Sequence, residues 1–154
     1  MPITIDELRQ CPEFAAAVAD RIWRAWWKPD GHPLSLIEAH FEQSLASTEA
    51  KPFCLVAHEG QDYLGSALLI ESDVVSRPLL APWVAAVWVE PEHRKRGVAT
   101  ALLEVVVARA FELGERRIYL CCADALRPFY QARGWQLHEA GVPTAGMGIL
   151  KRDF

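Results

Sequence analysis

Long hydrophobic runs are missing from this sequence. None of its 154 residues fall in an uninterrupted apolar stretch of about 18, so no membrane-spanning helix is expected. The start, M-P-I-T-I-D-E, lacks a basic region followed by an apolar one and does not read as a secretory signal. Excess charge of one sign is missing too. Sixteen basic residues face twenty acidic ones, net −4, which argues against a general nucleic-acid surface. Cysteines are few: Cys11, Cys54, Cys121 and Cys122 contain no C-x-x-C pair and read as free thiols in a reducing cytoplasm. A cysteine nucleophile would need a histidine partner that the sequence does not place. His32, His40, His58, His93 and His138 show no H-x-x-x-H spacing, so no metal site is expected. The dinucleotide fingerprint G-x-G-x-x-G and the phosphate loop G-x-x-x-x-G-K-S/T are both absent.

What is present is organised around residues 87–114. With 51% hydrophobic residues the chain can bury a full core, and its length suggests one domain over 1–154. The run from Val84 to Val89 is an apolar, β-branched strand, which Pro91 ends because proline cannot donate to a ladder. Gly97 opens a helix and Gly114 closes it as a left-handed cap. Inside, Val98, Ala101, Leu102, Val105 and Val106 fall at helical spacing, and Ala99, Leu103, Val107 and Ala110 form a second apolar line. A helix so apolar is expected to be buried on more than one side. Arg94, Lys95 and Arg96 sit at its start, where the helix already carries roughly +0.5 charge. That placement makes sense if an anion such as a pyrophosphate rests on the helix amides, with Gly97 and Ala99 allowing close approach.

The segment V-E-P-E-H-R-K-R-G-V-A-T-A-L-L resembles the acetyl-CoA signature of the GCN5-related N-acetyltransferase (GNAT) superfamily, Arg/Gln-x-x-Gly-x-Gly/Ala, here Arg94, Gly97 and Ala99. A second segment, R-P-F-Y-Q-A-R-G-W at 127–135, is similar to the family's later F-Y-x-x-x-G-F/W motif.

The remaining chain fits the same order of elements. Residues 3–5 read as a strand and 13–27 as a helix, on which Trp23, Trp26 and Trp27 share a face. A loop at 28–34 leads to a helix over 35–47, with Ser35 as N-cap and Glu38 in the capping-box position. Strands at 53–58 and 63–71 flank a glycine turn, and a loop covers 72–82. After the central strand and helix come a strand at 117–122, a short helix at 125–132, and strands at 134–139 and 144–150. The fold class is α/β: a mixed, twisted sheet of about seven strands flanked by about four helices, with a parallel pair across the long helix.

The resemblance implies transfer of an acetyl group from acetyl-CoA to a primary amine of a small molecule in a ternary complex. It assigns acetyl-CoA to Val87 and Val89 on the fourth strand and to Arg94, Lys95, Arg96, Gly97, Val98, Ala99 and Thr100 in the loop and helix start. Tyr130 matches the acid that protonates the departing thiolate, and the first two helices, carrying Trp26, Trp27, Asp30 and His32, are where such proteins choose the acceptor. The glutamate base of the histone-acetylating branch is replaced by Trp83, leaving Glu71, Asp73, Glu90, His32, Glu38 or water to take the proton; Glu90 is expected to face solvent. Alternatives are a non-catalytic acyl-CoA sensor of the same fold and an acetyltransferase for peptide or protein N-termini. The partners expected are a small amine and no membrane or nucleic acid, with a homodimer compatible.

Overall fold

The computed structural model describes residues 2–154. Seven strands form one mixed sheet in the order β1-β2-β3-β4-β5-β7-β6. They are β1 (Thr4–Glu7), β2 (Phe53–Glu59), β3 (Asp62–Ile70), β4 (Trp83–Val89), β5 (Arg117–Ala123), β6 (Gln136–Ala140) and β7 (Met147–Asp153). Four α-helices accompany them: α1 (Ala15–Ile22), α2 (Leu34–Ala46), α3 (Val98–Glu112) and α4 (Arg127–Gln131). The seven strands and four helices expected are those found. Backbone proximity groups the residues into two compact units, and β3, β4 and α3 each contribute to both.

The first unit comprises residues 2–68 and 86–107 of the described chain. β1 pairs with β2 antiparallel, from Thr4 opposite His58 to Glu7 opposite Leu55. Only two residues join β2 to β3, a connection that antiparallel strands alone allow. Residues 53–57 and 64–67 are all buried, the continuous pattern of strands covered on both faces. One cluster joins Phe14, Val18 and Ile22 of the α1 region, Ile37 and Phe41 of α2, and Val56 of β2. Trp23, Trp27 and Ala86 pack against it.

The helix expected over 13–27 is α-helical only to Ile22. Trp23–Trp27 wind as a π-turn, which the Lys28 amide closes by donating to the Trp23 carbonyl at 2.7 Å. The wider turn separates the tryptophans: Trp23 and Trp27 pack on the core, while Trp26 is 42% exposed. Ser35 is not the cap of α2. That helix begins at Leu34, with Pro33 at the cap position in extended geometry and no side chain capping it.

The second unit comprises residues 69–85 and 108–154. β5 pairs with β7 antiparallel from Arg117 opposite Asp153 to Ala123 opposite Met147, so the last strand starts later than residue 144. β6 lies outside β7, with a shift of register between Leu137 and Glu139. The 72–82 loop is tied to β6 by Arg77, whose Nε and Nη2 donate to the two Glu139 carboxylate oxygens at 2.8 and 2.6 Å. β4 and β5 run parallel but share a ladder at one position only, Trp83 opposite Tyr119. Trp83 is fully buried in a cluster with Val74, Tyr119 and Ile149, and its indole N–H donates to the Leu80 carbonyl at 2.6 Å.

Along α3, Val98, Leu102, Val106 and Ala110 form a buried line at every fourth residue, joined by Leu103. Ala101, Val105 and Val107 are half-buried, and Glu104 and Ala108 face outward. Gly114, at φ +87, ends the helix as expected, and the Glu115 amide donates back to the Ala110 carbonyl at 3.1 Å.

Trp83→Ala removes the largest fully buried side chain and its hydrogen bond. It should lower unfolding free energy by about 3–5 kcal/mol in urea titrations. A loss below about 1 kcal/mol would show that this cluster is not a principal core.

Candidate active site

In the first unit the approach to α3 is built by three consecutive departures from regular backbone. Ala86, inside β4, has φ +53, an uncommon value for a residue with a side chain. A short 3-10 turn over Pro91–His93 follows β4. Lys95 and Gly97 then both take positive φ, +63 and +79. The Gly97 carbonyl accepts the first helical bond, from the Ala101 amide at 3.0 Å, so Gly97 stands as the cap residue. Amides in the first turn of a helix have no partner within it, and here that turn begins at Val98. A Cβ on Gly97 would meet nothing within 4 Å.

The three basic side chains do not act as one patch. Arg94 turns back onto β4: its Nε donates to the Val89 carbonyl at 2.9 Å, and its guanidinium lies 5.0 Å from the centre of the Trp88 ring. Arg96 is held by Glu59 at 2.9 Å and by the His93 ring at 2.9 Å. That contact holds the Glu59 carboxyl below its ordinary range. Lys95 stands exposed. Two of the three charges therefore brace the loop. Val87 and Val89 are half-buried on the second half of β4.

The residues expected to choose an acceptor divide into two groups. Trp26 meets Trp88 of β4 edge to face, ring centres 6.4 Å apart. The Trp88 indole nitrogen is buried and finds no hydrogen-bond partner among the described residues. Trp27 instead meets the rings of His32, centres 5.8 Å apart, and His40, 6.5 Å apart. His32 is exposed, and its carbonyl accepts a bond from the Trp23 indole at 2.7 Å. Asp30 is exposed, its amide closing the turn onto the Trp27 carbonyl at 3.2 Å.

Glu90 contradicts the expectation that it faces solvent. It is only 6% exposed, and its carboxylate accepts a bond from Arg21 Nε of α1 at 2.6 Å. Arg21 also contacts Asp20, and these two carboxylates, Glu90 foremost, raise its pKa. An arginine 69 residues away left no local signal at Glu90. Trp88 was missed for a different reason: in an apolar strand it reads simply as another core residue.

In the second unit Tyr130 lies on α4 and is 8% exposed. Its ring meets Phe129 at 5.2 Å and Trp135 at 6.4 Å, both nearly perpendicular. Burial, with a smaller contribution from Cys122, pushes its phenol up to about 12. Trp83, at the position of the missing glutamate, is a core residue. Asp73 and Glu71 lie in exposed positions of the loop after β3, although local desolvation raises the Asp73 carboxyl. All four cysteines are free. Burial pushes Cys11 and Cys121 up to about 11 and raises Cys54 and Cys122, so none is a ready thiolate. Among the described residues no group of histidine, cysteine and acidic side chains is placed to hold a metal, and no helix is long and apolar enough to cross a membrane.

The model of the acetyltransferase (GNAT) family matches residues 16–135. No sequence match is found among the curated proteins. Among solved structures, the acetyltransferase of the GNAT family from Streptococcus pneumoniae superposes with a TM-score of 0.73 at 14% identity, covering 99% of this chain and 100% of that one. The PaiA N-acetyltransferase of Thermoplasma acidophilum, solved in complex with coenzyme A, gives 0.65 at 15% identity and covers 100% of both chains. yncA from Salmonella typhimurium, solved with its cofactor acetyl-CoA, gives 0.74 at 15% identity, covering 98% of this chain and 93% of that one. Identities this low speak for the fold alone, but the family match takes in most of the chain, including both of its motifs, and on that ground the protein belongs to the acetyltransferase (GNAT) family.

Proposed function

We propose that this protein, as one domain over 1–154, transfers the acetyl group of acetyl-CoA to the primary amine of a small acceptor by direct attack in a ternary complex. The observation that carries the reading is the β4–loop–α3 segment. A strand that shares one ladder position with β5 runs into a loop with two left-handed residues, the second of which, Gly97, has free space where a side chain would be. The residues fit the donor. The amides of Val98, Ala99 and Thr100 suit a pyrophosphate, with Gly97 leaving room for it and Arg94, Lys95 and Arg96 bracing or flanking the turn. Val87 and Val89 offer backbone groups to the pantetheine arm. The structures of yncA and PaiA, which hold acetyl-CoA and coenzyme A, support the same donor.

Trp26 and Trp88 favour an acceptor with an apolar or aromatic body, joined by Trp27, Asp30 and His32 as the remaining acceptor-side residues. Free thiols agree with a cytoplasmic setting. An alkylamine, with pKa about 10.4, must lose a proton before it attacks. Glu90 is occupied by Arg21 and Trp83 cannot accept a proton, so that step falls to water or to an exposed group. After attack, a backbone N–H of β4 stabilises the oxyanion, and Tyr130 protonates the leaving thiolate. The replacement of a base by Trp83 supports a second reading, a sensor that binds acyl-CoA without turnover. Amine-dependent release of CoA thiol across a panel of amines separates the two: no release with any amine, while acetyl-CoA binds, favours the sensor.

Gly97→Glu brings a carboxylate to the helix start and strains a residue at φ +79. Calorimetry should show acetyl-CoA binding lost while circular dichroism stays that of the folded protein. Undiminished affinity would sink the donor site.

Tyr130→Phe keeps the ring against Phe129 and Trp135 and should lower kcat by about 10²-fold, with little change in acetyl-CoA affinity. The defect should shrink with a thioester of a more acidic thiol. A phenol raised to about 12 keeps its proton well above pH 10, so tyrosinate formation should not cut activity between pH 8 and about 10.5. Near-normal kcat in the variant, with chemistry rate-limiting, would assign the proton to water.

A further inference from the structure

Asp73 stands apart from the other acids drawn into the fold. Glu90 holds Arg21, Glu59 holds Arg96 and Glu139 holds Arg77. Asp73 has no hydrogen bond or ion pair among the described residues, and no cation offsets the shielding that raises its carboxyl. Yet the residue is exposed, so this carboxyl can be reached from outside. Withholding water from a carboxylate that has no partner costs free energy. A shielded, reachable and unpaired acid is a candidate for chemistry.

The loop after β3 holds Asp73 in place. Its neighbour Val74 is 4% exposed and packs in one cluster with Trp83 of β4 and Tyr119 of β5. The Val74 carbonyl accepts from the Arg77 amide at 2.9 Å, and Arg77 is itself tied to Glu139. Cys121 packs against the same cluster, two residues beyond Tyr119 on β5 and so on the same face of the strand. Burial first, and the charge of Asp73 second, raise the Cys121 thiol, which sets the carboxylate near this stretch of β5. β4 and β5 run parallel and pair only at Trp83 and Tyr119, so Cys121 lies past that ladder, toward the carboxyl end of β5. In open sheets with parallel strands, ligands gather at that end. Tyr130 belongs to the other face: Cys122, whose charge adds to the rise of the phenol, alternates with Cys121 along the strand.

We propose that Asp73 is a catalytic residue of the acetyl transfer: from the rim of the Val74–Trp83–Tyr119 cluster it receives the protonated amine of the acceptor and takes its proton. The inference rests on the acetyl-transfer reading and names the group that serves where Trp83 cannot. The ammonium passes one proton to the Asp73 carboxylate. The freed electron pair forms the C–N bond as the C–S bond of the thioester breaks. The nitrogen's second proton leaves to water, and the thiolate takes the proton of Tyr130, which water restores. Asp73 releases its own proton to water before the next turnover. Because Asp73 and Tyr130 lie on opposite faces of β5, proton acceptor and proton donor do not neutralise each other.

Two amines of the same shape test this in the whole protein with acetyl-CoA: 2-phenylethylamine, and 2,2-difluoro-2-phenylethylamine, whose fluorines leave its nitrogen far less basic. Asp73→Asn should lower kcat/KM for 2-phenylethylamine by about 10²-fold, the ordinary loss for a general base. The defect should nearly vanish with the difluoro amine, which needs little help to shed a proton. Formate added to Asp73→Ala should restore turnover of 2-phenylethylamine, a response that a packing defect does not give. Circular dichroism should stay that of the folded protein in both variants. Equal defects with the two amines and no rescue by formate would make Asp73 structural and overturn the proposal. So would unreduced activity in Asp73→Asn, which would leave the proton to water. Absence of turnover by the wild type with both amines also overturns it. Absence with every amine, while acetyl-CoA binds, brings down the acetyl-transfer reading as well.

Discussion

Strand β4 has to be two things along seven residues. Its first half is core: Trp83 and Val84 are buried, and Trp83 pairs with Tyr119 of β5. Its second half, from Ala85 to Val89, is only half-buried. A regular pleat repeats the same pairing along its length, so the change needs a break, and Ala86 at φ +53 supplies it. Room for the resulting backbone comes from β3, whose Gly65 has no side chain to meet the Trp88 carbonyl. The cost of an unfavourable φ and of a glycine in a strand, each on the order of 1 kcal/mol, is what local irregularity at a functional site ordinarily requires.

Charge around this strand serves geometry before it serves binding. Arg94 and Arg96 come at the start of a helix whose dipole disfavours them, yet each is drawn off by a nearer partner: a carbonyl and an indole ring for Arg94, Glu59 and His93 for Arg96. Arg21 does the same for Glu90 from α1. The left-handed Lys95 and Gly97 shape the backbone that leads into α3, and two of the three charges that drew notice in the sequence are spent on neighbouring groups.

The placing of Trp23, Trp26 and Trp27 depends on a similar small irregularity. An α-helix through 23–27 would place Trp23, Trp26 and Trp27 together. The π-turn carries Trp26 off the core and against Trp88, while Trp23 and Trp27 stay packed. An indole nitrogen that is buried without a partner, as in Trp88, is uncommon in folded proteins and costs stability.

Much of this was legible in the residues. The order of strands and helices follows from hydrophobic period and from glycine and proline punctuation, because these act locally: Gly97 and Gly114 bound α3 wherever the rest of the chain lies. The loop of 94–99 and the F-Y segment stood out because glycine and charge at fixed spacing are local signals as well. Tertiary structure alone decided the remainder. That Glu90 is buried, that Arg96 belongs to Glu59, and that Trp83 is core rather than site depend on partners from 37 to 69 residues away or on burial, and spacing carries no trace of either. The π-turn and the positive φ of Ala86 have no residue signature, since tryptophan and alanine are ordinary formers of regular structure. Gly65 was visible as a glycine in a strand, but its reason, a carbonyl 23 residues further along the chain pressing into the place of its missing side chain, exists only once β3 and β4 lie side by side.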